Sequence, residues 1–209
     1  MINKFIVNIY MYSYKHNKYL YKNNMIGGDD FFNNISFVHN PYSYENLISI
    51  LKSGTLKMGS DVDKKKRNLS GGEPMDEIYM NIYFKDNQNP HDLHGLVFSS
   101  QLLKDYDLTI NAGWRGIKIV DIKKNDNNKI KKEKINRVKK FLNDPTKILP
   151  KTLVNISPYI MLHEVLFFEN IPIKKYLVGI NNCGFDKKQN MKIKNILKKK
   201  KMSNIDFSC

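Results

Sequence analysis

Ile35-Ser36-Phe37-Val38-His39-Asn40-Pro41, then Ser43, Leu47-Ile48, Ile50-Leu51 and Gly54-Thr55-Leu56, is the stretch on which the fold class turns. Alternation through 35–39 predicts a strand, and Asn40-Pro41 breaks it. Ser43 has a side-chain oxygen suited to cap the start of a helix. Leu47, Ile48, Ile50 and Leu51 recur at helical spacing, and Gly54 stops the helix. Thr55-Leu56-Lys57-Met58 then reads as a short strand.

The same signals continue downstream. Ile78, Met80, Ile82 and Phe84 share one side of a strand over 77–84. Leu96-Val97-Phe98 is a short buried strand, and Ser99 or Ser100 caps a short helix through Leu103. Leu108 to Ile110 and Ile117 to Ile122 are further strands around Gly113-Trp114-Arg115-Gly116. Ile130, Lys134, Ile135, Val138, Phe141 and Leu142 define an amphipathic helix with a basic outer face, ended by Pro145 and Pro150. His163 to Phe168 is the strongest strand of the C-terminal half, with Tyr176 to Ile180 expected beside it. Strands with few helices, in mixed directions, predict α+β rather than a doubly wound parallel sheet. The polar stretch 59–76 is an unusually long loop for a compact domain, the kind that often serves function.

The 209 residues suit a single domain with a core of its own. Residues 1–30, in which Tyr10, Tyr12, Tyr14, Tyr19 and Tyr21 alternate with polar residues, form a leader that fits a strand, an ordered arm or a frayed terminus alike. The domain is expected over 31–182 and a lysine-rich tail over 183–209, around Met191, Ile193, Ile196 and Leu197. A content of 41% hydrophobic and 11% aromatic residues argues against global disorder. No apolar run is long enough to span a bilayer, and Asn3, Lys4 and Asn8 interrupt the N-terminal apolar residues, which speaks against a secretory signal. Cys183 and Cys209 fit a reducing compartment and form no disulfide framework. A cytoplasmic location follows, with the nucleus as an alternative.

The net charge of +15 attracts polyanions. Composition tempers this reading. Only Arg67, Arg115 and Arg137 are arginine, and Ala112 is the sole alanine, while Asn, Lys, Ile and Tyr abound. The codons favoured here are AT-rich, so a strongly AT-biased genome, such as that of a large DNA virus or an AT-rich microbe, gives this composition whatever the function.

No phosphate loop, GxGxxG, HExxH or GxSxG occurs. His91 and His94 lack a third ligand nearby, so no metal is expected. Trp114 reads as a packing anchor in a turn, and Lys198 to Lys201 as a solvated run, a nuclear-import signal or a polyanion grip.

One constellation stands out. Phe37-Val38-His39-Asn40 places a histidine at a strand end, and Glu45-Asn46-Leu47, Ile50-Leu51 and Gly54-Thr55-Leu56 follow. Asn81-Ile82-Tyr83-Phe84 carries a tyrosine near a strand end, and His163-Glu164-Val165-Leu166-Phe167 opens a strand with a glutamate. This order resembles the ADP-ribosyltransferase superfamily, in particular its His-Tyr-Glu branch, which includes the poly(ADP-ribose) polymerases and DarT-like toxins. The resemblance covers about residues 35–180 and implies a largely antiparallel split sheet with short helices. It implies NAD as substrate. His39 would bond ribose hydroxyls, main-chain groups at Asn40 would clamp the nicotinamide amide, and Tyr83 would stack on its ring. Glu164 would be the catalytic carboxylate, stabilising the positive charge that develops as nicotinamide leaves. Arg67 would hold the pyrophosphate or position the acceptor.

Two functions of different class follow. The chain is expected to transfer ADP-ribose from NAD to a nucleic acid or an acidic protein. The alternative is a catalytically inactive or accessory member whose basic surface binds polyanions. Neither involves a membrane.

Overall fold

The computed structural model describes residues 31–41, 43–61, 76–84, 95–112, 117–143, 163–181 and 184–208. The expected leader over 1–30, most of the 59–76 loop with Arg67, both loop histidines and Trp114 lie outside the described residues. The fold is α+β, with a largely antiparallel sheet and few helices.

Strand β1 is Ile35–His39, entered from a 3-10 turn at Phe32–Asn34. Helix α1 spans Tyr44–Ser53. The Ser43 hydroxyl accepts a hydrogen bond from the Asn46 backbone N–H at 3.2 Å, and Gly54 closes the helix in the left-handed region at φ 81°. Leu47, Ile48 and Leu51 are the residues it buries. Strand β2 is Thr55–Leu56, followed by a 3-10 turn at Gly59–Asp61. Then come β3 (Ile78–Phe84), β4 (Gly95–Ser99), α2 (Leu102–Asp105), β5 (Leu108–Ala112) and β6 (Ile117–Ile122). The residue at the start of α2 is Gln101, whose side chain makes no cap; Ser100 contributes its backbone carbonyl to Leu103 N–H instead of the expected hydroxyl. Helix α3 is Asn128–Asn143. The remaining elements are β7 (His163–Phe167), β8 (Ile171–Pro172), α4 (Ile173–Tyr176), β9 (Leu177–Asn181), α5 (Lys187–Lys199) and β10 (Asp206–Ser208).

Eight strands form one sheet in the order β10-β9-β4-β1-β3-β7-β5-β6, and β2 pairs with β8 separately. Among the described residues, every pairing is antiparallel except that of β9 with β10. Paired residues in such a ladder share a face, and successive residues alternate faces. Phe37, Met80, Ile82, Phe98, Ile110, Val165 and Phe167 therefore line one face, and all are buried. The Phe37 and Phe167 rings meet edge to face at 5.6 Å across the intervening strand β3, so this face is curled around the core. Ile135, Val138 and Phe141 of α3 and Ile193 and Leu197 of α5 complete the core.

Two expectations need revising. Strand β9 does not neighbour β7. It pairs with β4 and β10, while β7 lies between β3 and β5. Sequence proximity suggested adjacency, but Leu56 pairs with Ile171, and Ile173 N–H bonds the Gly54 carbonyl at 3.0 Å. These bonds tie the chain to the end of α1 and carry it to the other half of the sheet. The lysine-rich segment, expected as a tail, is part of the fold: α5 buries Ile193 and Leu197, Met202 is buried, and β10 extends the sheet. The residues it buries are too few among lysines to have announced this.

Candidate functional site

Glu164 opens the polar side of the sheet. The pairing register aligns Val38, Asn81, Glu164 and Asn111 in one row across β1, β3, β7 and β5. Tyr79 and Tyr83 lie two residues either side of Asn81 on β3, so both share the face of Glu164 as its diagonal neighbours. Diagonal positions in an antiparallel pair are about 7–8 Å apart, within reach of a tyrosine.

The Glu164 carboxyl is half-buried. Burial, reinforced by the nearby Glu77 carboxylate, pushes its pKa above the ordinary glutamate value. Glu77 itself accepts a hydrogen bond from the Tyr79 hydroxyl at 2.9 Å. Among the described residues, no side chain bonds or ion-pairs Glu164, and none bonds the side chain of Asn111, which is only 7% exposed. Burial also raises the Tyr83 phenol.

His39 is out of phase with this group. It follows Val38, so it takes the face of Phe37, and its strand partner on β4 is the buried Leu96. Its Nδ1 lies 2.8 Å from the Tyr79 carbonyl, which makes Nδ1 the protonated nitrogen of a neutral ring. Burial lowers its pKa, and the bond to Tyr79 only partly opposes that. Asn40 is exposed just beyond the strand. Gly95 packs directly against the His39 carbonyl at φ 141°, where a Cβ would collide with it. The structure thus brings Tyr83 and Glu164 to one face, puts His39 on the other, and leaves Arg67 outside the described residues. Sequence reading passed over Asn111 and Tyr79. The available signal was their shared phase with Glu164, which needs the register to be seen.

A second chemical feature lies on the helices. Basic residues of α3 are largely engaged. Lys131 is buried and donates to the Lys124 carbonyl at 2.7 Å, Lys134 pairs with Asp126 at 2.6 Å, and Lys139 sits over the Phe31 and Phe84 rings. Helix α5 differs. Its sequence, KKQNMKIKNILKK, has six lysines and no acid. Among the described residues, none of those lysines is in an ion pair, and all six are exposed.

Among the described residues, no cluster of three or more His, Cys, Asp or Glu could hold a metal, and no helix is long and apolar enough to cross a membrane.

Comparison with known proteins gives a family without an assigned role. Residues 32–145 match the model of a family of unknown function, DUF5846. Uncharacterized protein R11 of Acanthamoeba polyphaga mimivirus is 31% identical over 191 residues, an alignment covering 82% of this chain and 69% of that protein. No solved structure matches. The matched region takes in β1 through α3, more than half of the chain, and the chain belongs to the DUF5846 family.

Proposed function

We propose that this protein binds polyanions through the lysine face of α5. The observation that carries this reading is the contrast between the two basic helices: α3 buries Lys131 and ties Lys134 into an ion pair, whereas all six lysines of α5 are exposed and, among the described residues, none is in an ion pair; only Lys192 and Lys194 rest against rings, of Tyr44 and Phe207. Unpaired surface ammonium groups release counterions from a polyanion on contact, which drives association. The net charge of +15 adds attraction at long range. The test compares two sets of substitutions for binding to inorganic polyphosphate. Replacing Lys188, Lys192, Lys198 and Lys199 by Gln should abolish most of the affinity. Replacing Lys124, just before α3, together with Lys129, Arg137 and Lys140 of α3 removes the same number of charges and should cost less. Equal losses would return the effect to net charge and remove α5 as the site.

A second reading is favoured by one observation, the half-buried Glu164 beside the buried Asn111, with neither side chain hydrogen-bonded among the described residues. In it the chain has an ADP-ribosyltransferase-like fold and transfers ADP-ribose from NAD to a nucleic acid or an acidic protein. Glu164 is the carboxylate and Tyr83 stacks on nicotinamide. His39, set on the other face, keeps a structural role through Tyr79, and Asn40 and Arg67 are left to the clamp and the pyrophosphate. NAD consumption by the protein and by Glu164→Gln decides it, and equal turnover removes Glu164 from the mechanism. The mimivirus relative supports a large DNA virus as source for either reading, and with it action in a host cytoplasm.

A further inference from the structure

We infer that the groove between α1 and α5 seats single-stranded nucleic acid, a base stacking on Tyr44 while phosphates follow Lys188, Lys192, Lys199 and Lys52. The inference rests on the polyanion reading above and names its ligand class.

The two helices run side by side in the same direction. At their starts, the Tyr44 hydroxyl reaches the Gln189 carbonyl at 3.5 Å. At their ends, the Lys200 ammonium sits over Gly54. Between them is an open groove of about 520 Å³. From Lys188 to Lys199 it runs about 17 Å, taking the helical rise per residue. Among the described residues, four lysines line it and no acidic side chain does. Asp186 and Glu45 act on Tyr44 at one end; with burial as the larger cause, they raise its phenol pKa. The two acidic groups that act on Tyr44 thus lie at the tyrosine end, and the phosphates run from Lys188 away from them toward Lys52 and Lys199.

Tyr44 is a braced platform. Phe185 meets its ring edge to face at 5.4 Å and 70°. The Lys192 ammonium hovers over the ring at 5.7 Å, near the outer limit of a cation–π contact. Its flexible stem lets it swing to a phosphate as a base takes its place on the ring. Met191, 56% exposed, adds a polarisable apolar surface to the same wall.

An aromatic ring among lysines along a groove is the arrangement by which proteins hold single strands: stacking on bases, charge on the backbone. A duplex keeps its bases inside its own stack, beyond the reach of Tyr44. An anionic membrane surface calls for an apolar helix face of large residues, and Met191 is the one exposed large hydrophobic residue on α5 among those described.

The experiment measures fluorescence anisotropy of the full chain with two probes, an oligothymidylate of about a dozen nucleotides and inorganic polyphosphate of matched charge. Tyr44→Ala should weaken oligonucleotide binding by about tenfold or more, the size expected for one stacked base. It should leave polyphosphate binding unchanged, and Tyr44→Phe should bind like the parent. Lys192→Gln and Lys199→Gln, both on the exposed side of α5, should each reduce the salt dependence for the oligonucleotide by about 0.7 in log–log slope. If Tyr44→Ala binds both probes as the parent does, or if both lysine substitutions leave the slope intact, the groove is not the seat, although polyphosphate binding still stands. Failure of the parent protein to bind either probe would remove the polyanion reading itself.

Discussion

His39 and Glu164 occupy opposite faces of one sheet, separated by β3 and by a single step in register. The imidazole is tied to the Tyr79 backbone on the core face, and Glu164 takes the other face, opposite Asn81 and diagonal to Tyr79 and Tyr83. That relationship turns a sequence pattern that suggested one three-residue cleft into two separate questions. One asks what Glu164 does without the histidine; the other asks what α5 does with its lysines.

Glu164 should weaken the fold as pH rises. Its folded-state pKa is raised, by burial first and by Glu77 second. Below the unfolded pKa the carboxyl is neutral in both states and carries no penalty. As pH climbs through the raised value, the folded chain must hold a desolvated charge. Glu164→Gln should therefore raise the melting temperature at pH 8 by a few degrees and leave it unchanged at pH 4. Thermal unfolding at the two pH values checks this. An acidic-side gain with none at pH 8 would reverse the sign.

Asp105 should behave in the opposite sense. Burial alone would raise its pKa, but hydrogen bonds from Lys175, Tyr176 and Gln101 outweigh it and hold the value down. The Tyr176 hydroxyl donates at 2.9 Å and the Lys175 ammonium lies at 2.8 Å. A depressed carboxylate contributes stability above its unfolded pKa and loses it as pH falls through the folded one. Asp105→Asn should cost about 1–2 kcal/mol at pH 7, read from urea midpoints, with the difference shrinking toward pH 3.

Two glycines should separate cleanly. A Cβ at Gly95 would meet the His39 carbonyl, and φ there is 141°. At Gly54 the nearest obstacle is the end of the flexible Lys200 side chain. Gly54→Ala should cost about 1–2 kcal/mol, the price of a left-handed non-glycine residue. Gly95→Ala should cost clearly more, because backbone must move. Chemical denaturation of both variants measures the order; the reverse order would contradict the packing at β1 and β4.

Ile193 tests whether the lysine-rich segment is part of the domain. Fully buried on α5, it should cost about 2–5 kcal/mol on replacement by Ala. A variant as stable as the parent would detach α5 from the core. Circular dichroism during urea titration suffices.

Much of the architecture was legible in the sequence where one local signal decides one element. Ser43 and Gly54 bounded α1 because capping and left-handed closure are chemical properties of those residues. The alternation from Ile78 to Phe84 fixed β3 because one face is apolar at every second position. What could not be read were relations between distant strands. The step that sets His39 against Glu164 is a matter of register, invisible until β1, β3 and β7 are aligned. The pairing of β9 with β4 needed the detour through β8. Helix α5 was obscured because a chain rich in lysine everywhere hides an amphipathic helix that buries only Ile193 and Leu197. The groove at Tyr44 was beyond sequence reading, since it joins residues 44 and 188 across the fold.

A salt titration decides whether α5 is the polyanion-binding face. Affinity of the full chain for inorganic polyphosphate, followed as salt is raised, should fall linearly in log–log form with a slope of about −3 or steeper, as expected if four or more lysines displace counterions. The chain with Lys188, Lys192, Lys198 and Lys199 changed to Gln should lose most of that slope. Affinity indifferent to salt, or a slope unchanged by those four substitutions, would contradict the account.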